Sequence, residues 1–102
     1  MTTYLKAAKK ADVPPGRMTC VKLKGHRIAI YNLAGEYFAT QESCTHAEAS
    51  LCDGDISGDE VVCPLHFATF NIRTGECTGP PATEDLMTYA VRIVGDDIEV
   101  QV

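Results

Sequence analysis

Two short segments, Cys44-Thr45-His46 and Cys63-Pro64-Leu65-His66, stand sixteen residues apart and restrict this chain more than any other feature in it. Each offers one thiol and one imidazole. An isolated Cys-x-x-His is common by chance, and a lone Cys or His more often serves packing or the surface. Four such side chains in two matched segments point instead to one metal site, reached by folding two loops toward a single point. Soft thiolates suit iron–sulfur chemistry, and imidazole suits iron. Zinc sites usually group like ligands with like, Cys with Cys and His with His. Here each segment mixes the two kinds.

With 102 residues the chain is expected to form one domain, spanning 1–102. A chain of this size buries a modest share of its surface, so a metal centre helps to hold it together. A net charge of −5 argues against nucleic acid and anionic membrane surfaces as partners, and allows steering toward basic patches on proteins. No apolar run approaches a membrane span. The segment MTTYLKAAKKADVPPG carries no apolar stretch of the signal-peptide kind. Five cysteines are present, and the motif claims two. Cys20, Cys52 and Cys77 are expected to be small buried packing groups with free thiols, rather than ligands or a disulfide, in a reducing, cytoplasmic setting. Nothing suggests a large apolar interface, so a monomer is expected.

The chain reads as all-β, with short strands and frequent turns. Strands are expected at about 17–23, 27–33, 36–41, 54–57, 60–63, 69–73, 87–94 and 97–102, with a short one near 4–6 and a helical turn over 7–11. Apolar and polar residues alternate from Asp97 to Val102, as in a half-buried strand. Val94-Gly95-Asp96-Asp97 before it is a hairpin signal. His26 follows Gly25 and is expected to be exposed at a turn. The acidic stretch of Glu42, Glu48, Asp53, Asp55, Asp59 and Glu60 is expected to be a solvated face. Between about 42 and 82 the composition shifts toward Gly, Cys and Pro.

The two segments resemble those of Rieske-type [2Fe–2S] proteins, in which two His replace two Cys on one iron. The likeness runs over nearly the whole chain, which resembles the small Rieske-type ferredoxins of multicomponent aromatic-ring-hydroxylating dioxygenases. It implies an antiparallel β-sandwich base with a small cluster-binding lobe at about 42–82. It assigns Cys44 and Cys63 to the inner iron and His46 and His66 to the outer iron of one [2Fe–2S] cluster. Gly79-Pro80-Pro81-Ala82 resembles the family's proline loop that covers the cluster. Respiratory Rieske proteins carry an extra Cys in each loop, where this chain has Ala49 and Leu65. They also place Ser and Tyr hydroxyls near the cluster, where this chain has Ala68 and Phe70. Fewer donors leave the reduced state less stabilised, so the potential is expected at the low end, roughly −150 mV. One departure stands out. Many relatives have Gly directly after the second His, and this chain has Phe67, which does not easily take φ > 0. Phe67 is read either as part of an apolar docking rim or as inward support.

Such a cluster moves one electron at a time. Of the three His, only His26 would remain, so a 2-His-1-carboxylate oxygenase iron is not available. No G-x-G-x-x-G follows a strand, so no dinucleotide signature is present. The resemblance therefore implies a carrier and not an enzyme. It would take electrons from an NAD(P)H-dependent flavin reductase and pass them to a Rieske-type terminal oxygenase. Two alternatives stay open: a Rieske-like small subunit of an assimilatory nitrite reductase, and a zinc-stabilised β module without redox function.

Overall fold

The computed structural model describes residues 3–45, 48–65 and 67–102. The chain order is β1 (Tyr4–Lys9), a 3-10 turn (Lys10–Asp12), β2 (Met18–Leu23), β3 (His26–Leu33), β4 (Glu36–Gln41) and a second 3-10 turn (Leu51–Asp53). There follow β5 (Asp55–Ser57), β6 (Glu60–Val62), β7 (Thr69–Asn71), β8 (Cys77–Gly79), β9 (Thr88–Tyr89), β10 (Val91–Val94) and β11 (Asp97–Gln101). They form three antiparallel sheets, in the orders β1-β11-β10, β2-β3-β4-β9 and β5-β6-β7-β8. The all-β, antiparallel expectation is met.

Strand β3 organises the molecule. Successive side chains of a strand point to opposite faces. Ile28 and Ile30 enter one core with Val13, Ala39, Ile98 and Val100. Ala29, Tyr31 and Leu33 enter the other, with Leu51, Val61, Phe70 and the two motif cysteines Cys44 and Cys63. A strand covered on both faces reads as a nearly continuous apolar run, which is what Ile28-Ala29-Ile30-Tyr31 provides. The β2-β3-β4-β9 sheet is thus the middle layer, with β1-β11-β10 on one side and the small β5-β6-β7-β8 sheet on the other.

Turn chemistry fixes the hairpins. Lys24-Gly25 joins β2 to β3 and Ala34-Gly35 joins β3 to β4, and all four residues have positive φ. Two-residue primed turns need that conformation because it matches the twist of the strands. Polar groups inside the layers are paired. The Tyr31 hydroxyl lies 2.9 Å from Thr40 Oγ1, and burial pushes its pKa up to about 12. Asn32 donates to the Val13 carbonyl at 2.8 Å and accepts from the Gly35 amide at 2.7 Å. Among the described residues every buried side-chain N or O has a partner.

Several expected elements come out differently. The strand read over 87–94 is two strands in two sheets: β9 pairs with β4, and β10 pairs with β11. The chain crosses between layers at Ala90, whose carbonyl accepts from Gln101. The N-terminal strand runs on to Lys9, so the helical turn falls at Lys10–Asp12 and not over 7–11. Strand β8 was not expected, because Gly79 and the prolines after it read as loop. His26 is exposed as expected, but it opens β3 and stacks edge-on against Tyr89, with ring centroids 6.2 Å apart.

Candidate metal centre

Cys44 follows β4, and Cys63 directly follows β6. Both side chains are buried, 5% and 0% exposed, in the core between the middle sheet and the small one. The two loops are closed in the same way. The Cys44 amide donates to the Ala49 carbonyl at 3.0 Å, and the Cys63 amide donates to the Ala68 carbonyl at 2.8 Å. Each cysteine thus sits at the mouth of a loop closed five residues further on. The expected ligands His46 and His66 fall within these two loops, and both lie outside the described residues.

The thiols are neighbours. Burial pushes the Cys63 pKa up, the adjacent Cys44 thiol adds to the rise, and the Leu65 amide, which bonds to the Cys63 sulfur, opposes it. Two buried thiols side by side in an apolar wall are poor places for bare thiolates. A metal cation removes that penalty, because thiol ligands deprotonate on binding and the released protons leave with the solvent. The donor set described here, two soft sulfurs at the mouths of two loops, fits an iron–sulfur group.

Further contacts wall the site. Thr45 Oγ1 donates to the Glu84 carbonyl at 2.8 Å, tying the first loop to the segment after the prolines. The Cys77 thiol, expected only to pack, donates to the Ala82 carbonyl at 3.0 Å and so ties β8 to the end of the Gly79–Ala82 loop. Ala68 and Phe70, the positions read as lacking hydroxyls, are both fully buried.

Four residues depart from expectation. Cys20 and Cys52 are not free thiols. They form a disulfide across 32 residues of sequence, with Cα atoms 6.2 Å apart. Nothing in their spacing signals this pair, since β2 and the Leu51–Asp53 turn meet only through tertiary packing. Glu42, read as part of a solvated face, is 7% exposed and is held by Arg27 through bonds of 3.1 and 3.2 Å. Glu48, Asp53, Asp55 and Asp59 are exposed as expected. Phe67 adopts φ 59° despite its side chain and is 73% exposed, so it points outward and does not support the lobe from within. Leu65 is 46% exposed beside it in sequence.

The Arg27 guanidinium holds the Glu42 carboxyl below its ordinary value of 4.5, with burial opposing and the Ser50 hydroxyl assisting. A depressed carboxyl contributes stability above its unfolded pKa, and that contribution is lost as pH falls through the folded value. Replacing Glu42 with Gln is expected to cost about 1 kcal/mol at neutral pH, a figure kept small because the Arg27 side chain is 68% exposed. The gap between wild type and E42Q should close progressively below pH 4.5. Urea denaturation as a function of pH measures it; a gap independent of pH contradicts the assignment.

Comparison with known proteins agrees with this geometry. Residues 3–90 match the Rieske [2Fe–2S] domain family. The biphenyl dioxygenase ferredoxin subunit of Pseudomonas sp. (strain KKS102) is 44% identical over 99 residues, which cover 96% of this chain and 91% of that protein. The solved Sphingomonas yanoikuyae B1 ferredoxin superposes with a TM-score of 0.93 at 32% identity, covering 98% of this chain and 99% of that one. A solved complex of reduced oxygenase and oxidised ferredoxin of carbazole 1,9a-dioxygenase contains a similar chain, with a TM-score of 0.90 at 33% identity, covering 95% of this chain and 91% of that one. Two paired thiols in two like-built loops, on this fold and with these relatives, lead to one assignment: the chain belongs to the Rieske [2Fe–2S] domain family.

Proposed function

We propose that the chain carries single electrons from an NAD(P)H-dependent flavin reductase to a Rieske-type terminal ring-hydroxylating oxygenase. The observation that carries this reading is the pair of buried cysteines at the mouths of two loops closed alike. Its cofactor is one Rieske-type [2Fe–2S] cluster, which when bound accepts and releases one electron. Cys44 and Cys63 hold the inner iron, and His46 and His66 the outer one. In this reading the chain is one domain over 1–102, with a cluster lobe at about 42–82. It works as a cytoplasmic monomer, beside the nucleotide pool that feeds the reductase.

The chain's own residues do the remaining work. The Leu65 amide bonds to the Cys63 sulfur. Thr45 ties the first loop to the segment after the prolines, and Cys77 ties β8 to the end of the Gly79–Ala82 loop. Ala68 and Phe70 supply no hydroxyl, which keeps the potential low. Leu65 and Phe67 flank His66 in sequence and present apolar surface where a partner must approach. A non-glycine residue in the left-handed region costs about 1–2 kcal/mol. Phe67 bears that cost with its ring in water, which supports a role outside the fold: an anchor against the oxygenase.

The test is turnover reconstituted with the reductase and oxygenase of a ring-dioxygenase system. Wild type should couple NAD(P)H oxidation to ring hydroxylation. Phe67→Gly should lower that rate about tenfold, the scale of a central aromatic anchor, with an unchanged visible spectrum and equal or higher stability. Failure of wild type to accept electrons from the reductase, or to deliver them, overturns the carrier reading. Unchanged turnover in F67G removes the anchor role alone.

A further inference from the structure

We infer that Cys20–Cys52 is a second redox site, a thiol–disulfide couple that exchanges with a dithiol and governs how firmly the first ligand loop holds its iron. This rests on the reading of Cys44 as a cluster ligand.

The placement of the bond carries the inference. Cys20 lies within β2 of the middle sheet, paired with Ala29. Cys52 lies in the 3-10 turn Leu51–Asp53, where the first loop ends. The other ties at the loop's base, among the described residues, are noncovalent. The Leu51 amide donates to the Glu42 carbonyl at 2.9 Å, and Ser43 bridges Ser50. Glu42 is held by Arg27. Apart from the main chain itself, the disulfide is therefore the one covalent link, among the described residues, between the ligand loop and the sheet beneath it. Ser50 joins these parts. Its hydroxyl oxygen accepts from the Cys52 amide at 3.2 Å and lies 3.9 Å from the Cys20 sulfur.

The bond packs against the core that contains the cluster thiols, and it is more exposed than they are. Both cysteines are half-buried, whereas Cys44 and Cys63 are buried. One surface depression reaches Cys20 and is lined by Lys22, Arg27 and Glu42. Another reaches Cys52 and is lined by Arg17 and Asp55. Arg27 is paired with Glu42, which leaves Lys22 and Arg17, with Asp55 opposing them, as the cations that favour approach of an attacking thiolate and departure of the thiolate released. A carrier working beside a reducing nucleotide pool meets dithiols there.

The exchange balances with one partner couple. A dithiol thiolate attacks one sulfur of the Cys20–Cys52 bond and releases the other cysteine as thiolate. The second dithiol sulfur then attacks the partner's own sulfur in the mixed disulfide, closes the partner's S–S bond and releases the remaining cysteine as thiolate. Two electrons and two protons reach Cys20 and Cys52, and the partner leaves as a disulfide; the reverse reaction restores the link. Opening it frees the chain between residues 20 and 52 from a cross-link whose main effect is to restrict open conformations.

The test uses the air-purified holoprotein, with dithiothreitol as the dithiol probe. Alkylation in denaturant followed by peptide mapping should find Cys20 and Cys52 joined before treatment and alkylated after it. An iron chelator should bleach the dithiothreitol-treated protein at least about tenfold faster than the untreated one, a lower bound for a long-loop cross-link. Cys20→Ser should bleach at the faster rate with or without dithiothreitol, which separates opening of the bond from attack on the cluster. Free thiols at Cys20 and Cys52 in the untreated protein overturn the inference. So do equal bleaching rates in wild type, a comparison that stands even if C20S folds poorly. A preparation lacking iron overturns the cluster reading and the iron-holding half of the inference, while the peptide map still decides whether the couple exists.

Discussion

Replacing Cys63 with Ala is expected to give a colourless protein with no bound iron and a lowered thermal midpoint. Cys63 is fully buried, and its sulfur sits against that of Cys44 and the Leu65 amide. In the proposed ligand set, alanine would leave the cluster with Cys44 as its single sulfur from the chain. In a small domain, metal binding and folding are coupled, so the loss extends beyond the site. Cys77→Ala is the contrast. It removes the thiol's bonds to the Ala82 and Gly79 carbonyls, worth about 1 kcal/mol, and should keep colour and iron. Visible absorption, iron analysis and a melt followed by circular dichroism measure both. Full iron content in C63A contradicts the ligand assignment.

Phe70→Ala is expected to cost about 3–5 kcal/mol, the range for deleting a buried aromatic ring. Phe70 lies at the centre of β7, opposite Val61 on β6 and Cys77 on β8. Its ring is fully buried in the core that also contains Cys44 and Cys63. A chain of 102 residues has stability on the order of 5–15 kcal/mol in all. The variant should therefore melt more than about 10 °C lower. It should also lose iron faster, because the floor under both cysteines has been removed. A loss below about 1 kcal/mol would mean that the cysteine loops stand without this core.

The parts legible in the sequence are those set by local pattern. Lys24-Gly25 and Ala34-Gly35 mark turns that the structure places between paired strands, and the alternation from Asp97 onward is β11. The motif cysteines were legible by type and order, and the structure brings their side chains together. The parts not legible depend on contacts between distant segments. The crossing at Ala90 is set by which sheet each half can pair with, which no window of sequence contains. The burial of Glu42 depends on an arginine on a neighbouring strand. The Cys20–Cys52 bond depends on the first loop folding back over β2. Phe67 departs in the other direction: local sterics favour a glycine there, and the chain keeps an exposed aromatic ring at φ 59°.

A redox titration of the purified protein followed by EPR, with iron quantified on the same sample, tests the carrier account most directly. The account predicts a reduced-state signal of Rieske type, about two irons per chain and a potential near −150 mV. A clearly positive potential would keep the cluster and contradict the argument from Ala68 and Phe70. Absence of iron and of any signal, with zinc in their place, would contradict the account itself.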